Sequence, residues 1–155
     1  MTDKSTKVIN LEENVLSEND KVARVVREGF AAKNQLAINF MSSPGSGKTT
    51  LLCETCRRLK DDLKIYVIEG DQQTTHDADR IAATGVPAFQ VNTGENCHLE
   101  ADMILRACDA LKPEEGSLIL IENVGNLVCP AAFDLGEAKK VVVLSVTEGD
   151  DKPLK

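Results

Sequence analysis

The run Ala37-Ile38-Asn39-Phe40-Met41-Ser42-Ser43-Pro44-Gly45-Ser46-Gly47-Lys48-Thr49-Thr50 constrains this chain more than any other part of it. An apolar stretch stops at a glycine-bearing turn, and a Lys-Thr pair then opens a helix-forming segment. Glycines let backbone N–H groups converge on anionic oxygens, and the following helix turns its positive end toward them. The pattern is that of a P-loop. Lys48 is expected to reach the β- and γ-phosphates and Thr49 to ligate Mg²⁺, with Gly45, Ser46, Gly47 and Thr50 completing the cradle. Ser42 stands where the usual G-x-x-x-x-G-K-[ST] pattern has its first glycine.

The segments around the cradle alternate in period. Helices are expected over about 18–33, 48–60, 78–83 and 99–111. Val22, Val25, Val26 and Phe30 form the apolar face of the first, with Ser17 as its N-cap. Ala101, Ile104, Leu105, Cys108 and Leu111 form the buried stripe of the last. Strands are expected over about 36–41, 64–68, 88–91, 117–121 and 140–146. Nearly continuous apolar strands between helices specify an α/β fold, a mostly parallel sheet with helices on both faces. Such sheets bind ligands outside the carboxyl ends of their strands. Residues 1–17 read as a loosely held arm and 18–155 as one P-loop domain. The last strand is followed by loop chemistry and no helix, so the domain reads as C-terminally incomplete.

Bulk properties exclude several classes. The 155 residues carry 18 Lys and Arg against 25 Asp and Glu, a net charge of -7 that disfavours sequence-independent binding to nucleic acid or anionic lipid. There is no Trp and a single Tyr, so stacking platforms for single strands are not expected. No apolar run is long enough for a bilayer, and the N-terminus does not read as a signal peptide. Five cysteines without an export signal fit a reducing cytoplasm, where metal binding or burial prevails over disulfides.

Two acids stand beside the cradle. Glu122 ends the apolar run Leu118-Ile119-Leu120-Ile121, the position of an acid that holds Mg²⁺. Burying it unpaired would be costly, so a structural excuse is hard to find. Asp71 follows the second strand, where a carboxylate can orient the attacking water or join the Mg²⁺ shell. Asp77 reads as a helix cap. Gly125, just past Glu122, offers an N–H to the γ-phosphate. The expected catalytic set is therefore Lys48, Asp71 and Glu122.

A second constellation consists of Cys97 and His98, adjacent and placed at an expected helix start, with Cys129 about thirty residues later. Thiolate and imidazole suit nickel and zinc. A helix N-terminus favours the Cys97 thiolate. Three ligands fall one short of a closed tetrahedral site, which a symmetric dimer would resolve. Cys53 and Cys56 have C-x-x-C spacing but lie in the helix after the cradle, where Leu52, Cys56 and Leu59 form an apolar face. Cys108 belongs to a helical stripe. All three read as core.

These motifs, taken in order with Glu69-Gly70-Asp71, Gly94 through Leu99, Glu122 through Pro130 and Thr147 through Lys155, resemble the HypB family, GTPases that insert nickel during [NiFe]-hydrogenase maturation. The resemblance covers nearly everything after about residue 15. It implies a SIMIBI-like P-loop GTPase whose nucleotide gates a nickel or zinc site, built from Cys97, His98 and Cys129 at a homodimer interface. It also implies a HypA-type metallochaperone and the hydrogenase large subunit precursor as partners. This chain lacks the N-terminal cysteine motif and histidine-rich stretch of some members. An Asn-Lys-x-Asp motif for guanine would lie beyond Lys155, so GTP as the nucleotide comes from the resemblance. A urease-type nickel GTPase would carry a Cys-Pro-His run, absent here. A small-molecule kinase would need an arginine-rich lid, and between Gly70 and Leu99 there is only Arg80. A non-enzymatic metal-binding module is the remaining competitor.

Overall fold

The computed structural model describes residues 11–72 and 76–149. Its elements run α1 (Leu11–Ala32), β1 (Leu36–Ser42), α2 (Lys48–Leu59), β2 (Ile65–Asp71), α3 (His76–Ala82), β3 (Ala88–Asn92), α4 (Ala101–Leu111), β4 (Leu118–Glu122), α5 (Cys129–Ala132) and β5 (Lys139–Val143). The five strands form one sheet in the order β3-β2-β4-β1-β5, and every pairing is parallel. Alternate residues on each strand face opposite sides. Ala37, Ile68, Ile119 and Ile121 pack with α1 and α4, whereas Phe40, Val67 and Leu120 pack with Leu52, Cys56 and Ile81 of α2 and α3. The expected parallel sheet with helices on both faces is the one observed.

Several boundaries differ from the sequence reading, each for a physical reason. The first helix begins at Leu11, so residues 11–17 of the expected arm are helical and Ser17 lies inside the helix. Residues 1–10 lie outside the described part, as do residues 73–75 between Asp71 and Asp77 and the terminal stretch 150–155. β2 runs on through Asp71, because Gly70 and Asp71 still pair with Val91 and Asn92. β5 ends at Val143 rather than Val146, since its partner strand stops at Ser42. α4 begins at Ala101 rather than Leu99. Its first N–H goes to the Asn19 Oδ1 on α1 (2.9 Å), while the Leu99 N–H is taken by Asn123.

Two apolar assignments also move. Val25 and Leu105 are exposed, and the small residues Ala23 and Ala107 take buried positions on α1 and α4. These helices pack against each other and the sheet, and close approach selects small side chains over large ones. Cys53 and Cys56 are buried in the core, and Cys108 packs against its edge, as expected of structural thiols. Gly70 is a position that requires glycine: a Cβ there would lie 2.7–2.9 Å from three side-chain carbons of the buried Leu99.

Candidate functional site

Strands β1, β2 and β4 deliver their carboxyl ends to one cavity of about 530 Å³. Its floor is the turn between β1 and α2. Gly45 and Gly47 adopt left-handed backbone (φ 78° and 90°), conformations that side chains resist, and Gly47 leads directly into α2. Ser46 folds back on the Ser43 carbonyl through its hydroxyl (2.6 Å). Ser42 is the last strand residue and is not left-handed, so a glycine there is not required by backbone conformation. Gly45, Ser46, Gly47, Lys48, Thr49, Thr50 and Gly125 all line this cavity, as do Asp71 and Glu122. The geometry collects the expected nucleotide residues in one place.

At the back of the cavity Glu122 is buried. The Thr49 hydroxyl donates to its Oε1 (2.6 Å), and the Lys48 ammonium lies 3.3 Å from the same oxygen. Burial pushes the Glu122 carboxyl above the usual range, while Lys48 and Thr49 pull it partway back. Asp71 stands at the rim and accepts the Gln72 N–H (2.7 Å). Asp77 pairs with Arg80 (3.4 Å), which also donates to the Thr50 hydroxyl (3.0 Å).

One residue here escaped the sequence reading. Glu69 is the register partner of Glu122 across β2 and β4, is 2% exposed, and lines the same cavity. Burial, reinforced by Glu122 and Asp71, raises its carboxyl to about 8. The available signal was an acid ending the apolar run Ile65–Ile68, just as Glu122 ends the run before it. Glu69 Oε2 and Glu122 Oε2 are both buried without a hydrogen-bond partner. Two orphaned acceptors beside a threonine hydroxyl are the donor chemistry that a hard divalent cation satisfies, so the residues fit Mg²⁺.

The second constellation also assembles. The ligand atoms of Cys97, His98 and Cys129 lie within 4.8 Å of one another, and they are the one such metal-ligand group among the described residues. Cys97 and His98 sit in the loop ahead of α4 rather than at its start, which removes the helix-end argument for Cys97. Cys129 opens the short α5, an element not anticipated. The His98 ring stacks on Phe133 (3.9 Å between centroids) and its Nε2 lies 3.3 Å from Glu100. Cys97 Sγ lies 3.9 Å from His98 Nδ1. Hydrogen bonding to Cys97 holds the Cys129 thiol above its ordinary value, with burial adding to the effect.

A family model described as the CobW/HypB/UreG nucleotide-binding domain matches residues 36–147, from the first residue of β1 to beyond β5. The chain belongs to this family. Within the CobW/HypB/UreG family, it is 61% identical over 149 residues to hydrogenase maturation factor HypB of Rhizobium leguminosarum bv. viciae, covering 96% of this chain and 50% of that protein. A hydrogenase/urease maturation factor HypB of Helicobacter pylori strain J99 is 53% identical over 97% of this chain and 63% of its own length. Among solved structures, HypB from Helicobacter pylori in complex with nickel superimposes with a TM-score of 0.82 at 51% identity, over 88% of this chain and 65% of that one. HypB from Archaeoglobus fulgidus gives 0.80 at 42% identity, over 88% and 66%. This chain spans about half the length of the curated Rhizobium relative it matches. Among the described residues no helix is long and apolar enough to cross a membrane.

Proposed function

We propose that this chain is the core of a GTP-hydrolysing nickel metallochaperone serving [NiFe]-hydrogenase maturation in the cytoplasm. The observation that carries the reading is the gathering of Cys97, His98 and Cys129 within 4.8 Å, with Cys129 a short loop away from Glu122 in the cradle. Nickel is the cargo. The Helicobacter pylori HypB solved in complex with nickel supports that choice over zinc.

Lys48 stabilises charge developing on the transferred phosphoryl group, and backbone N–H groups at Gly45–Thr50 and Gly125 orient the phosphates. Asp71 positions the attacking water from the rim. Thr49, Asp71 and Glu122 would hold Mg²⁺, which when bound neutralises the phosphate charge. Two copies of this chain, meeting at the Cys97–Cys129 face, would supply the donors that one set lacks; Val128, next to Cys129, is 64% exposed there. A HypA-type metallochaperone would load or receive the metal, and the hydrogenase large subunit precursor would take it. Delivery to urease is the second reading, supported by the dual name of the Helicobacter relative.

Turnover of GTP by the full chain tests the enzyme half of this reading. Lys48→Met is expected to lower kcat by about 10²–10³-fold, the effect of losing one preorganised charge at the transition state. Equal turnover in both proteins would rule out catalysis at this cradle. Nickel titration tests the cargo half. Cys129→Ala removes one of three donors and is expected to weaken nickel binding by at least about tenfold, the lower end of what even outer-shell changes cost. Unchanged affinity would place the metal elsewhere.

A further inference from the structure

We infer that Asn126 is a positioning residue that ties the nucleotide cradle to the metal donors, with Asn123 as its buried anchor. The inference rests on the nickel-gating reading above and names the side chains that would transmit it.

The loop Asn123-Val124-Gly125-Asn126 leaves β4 directly after Glu122 and lies between the two sites. Its anchor is fully committed. Asn123 is 1% exposed and its backbone N–H donates to the Phe40 carbonyl (3.0 Å). Its Nδ2 donates to Asn39 Oδ1 (3.2 Å), and Asn39 donates in turn to Glu137 Oε1 (3.0 Å). Its Oδ1 accepts the N–H groups of Leu99 (3.1 Å) and Val124 (3.0 Å). A buried network with its partners in place has one good arrangement and is costly to leave half made.

Asn126 then bridges the two metal loops with one amide. Its Nδ2 lies 3.4 Å from the Cys97 carbonyl, and its Oδ1 accepts the N–H of Val128 (3.0 Å), the residue before Cys129. The backbone is thus held on both sides of His98, by Asn126 at residue 97 and by Asn123 at residue 99. The opposite side of the loop lies on the cradle. Ser42 and Asn126 form an antiparallel bridge, and a Cβ on Gly125 would come within 3.1 Å of Pro44. Leu99 itself packs on Gly70 at the end of β2. A displacement of Pro44, Gly125 or Glu122 on a change of nucleotide therefore cannot leave the Cys97 and Cys129 backbones where they were. Differential contact in two nucleotide states is what a coupling free energy requires.

The test compares nickel dissociation constants of the full chain with Mg-GDP and with a non-hydrolysable GTP analogue. The ratio of the two is the readout, since a merely structural role would change both equally. Wild type is expected to differ by at least about fivefold between the states, the lower range of measured couplings. Asn126→Ala is expected to bind nickel with the same stoichiometry and to bring the ratio within about twofold of unity. Asn126→Asp keeps the acceptor for Val128 and loses the donor to Cys97. A collapsed ratio there assigns the link to Cys97, and a retained one assigns it to Val128. A full ratio in both variants overturns the role of Asn126 and leaves the gating reading standing. Loss of nickel binding in both variants makes Asn126 structural and overturns the role as well. No ratio in wild type overturns the gating reading and this inference together.

Discussion

Replacing Glu69 with glutamine is expected to stabilise the metal-free protein at pH 8 and above and to leave it unchanged near pH 4.5. The folded carboxyl is raised to about 8 from an ordinary value of 4.5, chiefly because it is buried and faces Glu122. A raised carboxyl binds its proton more tightly in the folded state than in the unfolded one. Its favourable contribution is therefore complete below the unfolded value and is lost as pH climbs through the folded one. Each pH unit in that window is worth about 1.4 kcal/mol at most, so the swing is on the order of 3–5 kcal/mol. Glutamine has nearly the same shape and no charge to desolvate. Urea midpoints of the two proteins in chelator should diverge as pH rises from 5 to about 8 and level off above that. Adding Mg-GDP should narrow the gap, because a cation beside Glu69, Glu122 and Asp71 offsets both the cost of burying the Glu69 charge and the repulsion that adds to it. Parallel stability curves would show that Glu69 is not the group that titrates.

The cradle was legible because its chemistry is local. Gly45, Gly47, Lys48 and Thr49 are needed within one turn, and their order along the chain is the order in which they meet a phosphate. Glu122 was legible for a related reason, as an acid with no business at the end of an apolar strand. Glu69 has the same credentials, but its meaning comes from its register opposite Glu122, which is a property of two strands separated by α3, β3 and α4. The neighbouring Asp71 looked the better candidate because it appeared to lie beyond the strand, whereas β2 runs through it.

The metal donors sit between these cases. The sequence placed Cys97 and His98 at an expected helix start and Cys129 about thirty residues later, and their joining in one site was implied by the resemblance to HypB. The means of holding them was not legible, since Asn126 reaches Cys97 across 29 positions of sequence. The helix faces failed in a third way. Hydrophobic periodicity nominates large residues such as Val25 and Leu105, which are exposed, whereas Ala23 and Ala107 are fully buried. Periodicity records which side of a helix is apolar; packing distance decides which residue on that side goes deepest.

Removing the Lys48 charge should cost the metal-free protein stability as well as activity. Lys48 is 10% exposed in its ion pair with Glu122, which is 2% exposed. In Lys48→Met the Thr49 hydroxyl remains on Glu122 Oε1, while Oε2 has no partner in the wild type to begin with. Leaving one member of a buried pair uncompensated costs about 3–5 kcal/mol. The carboxyl can escape part of that penalty by holding its proton. Because Lys48 lowers both Glu122 and Glu69, its loss raises both. By the same sign argument, the deficit relative to wild type is largest at pH 8 and shrinks as pH falls and the buried carboxyls take up protons. Urea midpoints at the two pH values measure it, and an equal deficit at both would exclude the electrostatic origin. A second substitution separates the contributions. If Glu69 and Glu122 repel each other once Lys48 is gone, Lys48→Met with Glu69→Gln recovers more stability at pH 8 than Glu69→Gln adds to wild type. Turnover of the single variant is then to be compared at a pH where it is folded, so that a lost rate reports the missing charge and not an unfolded chain.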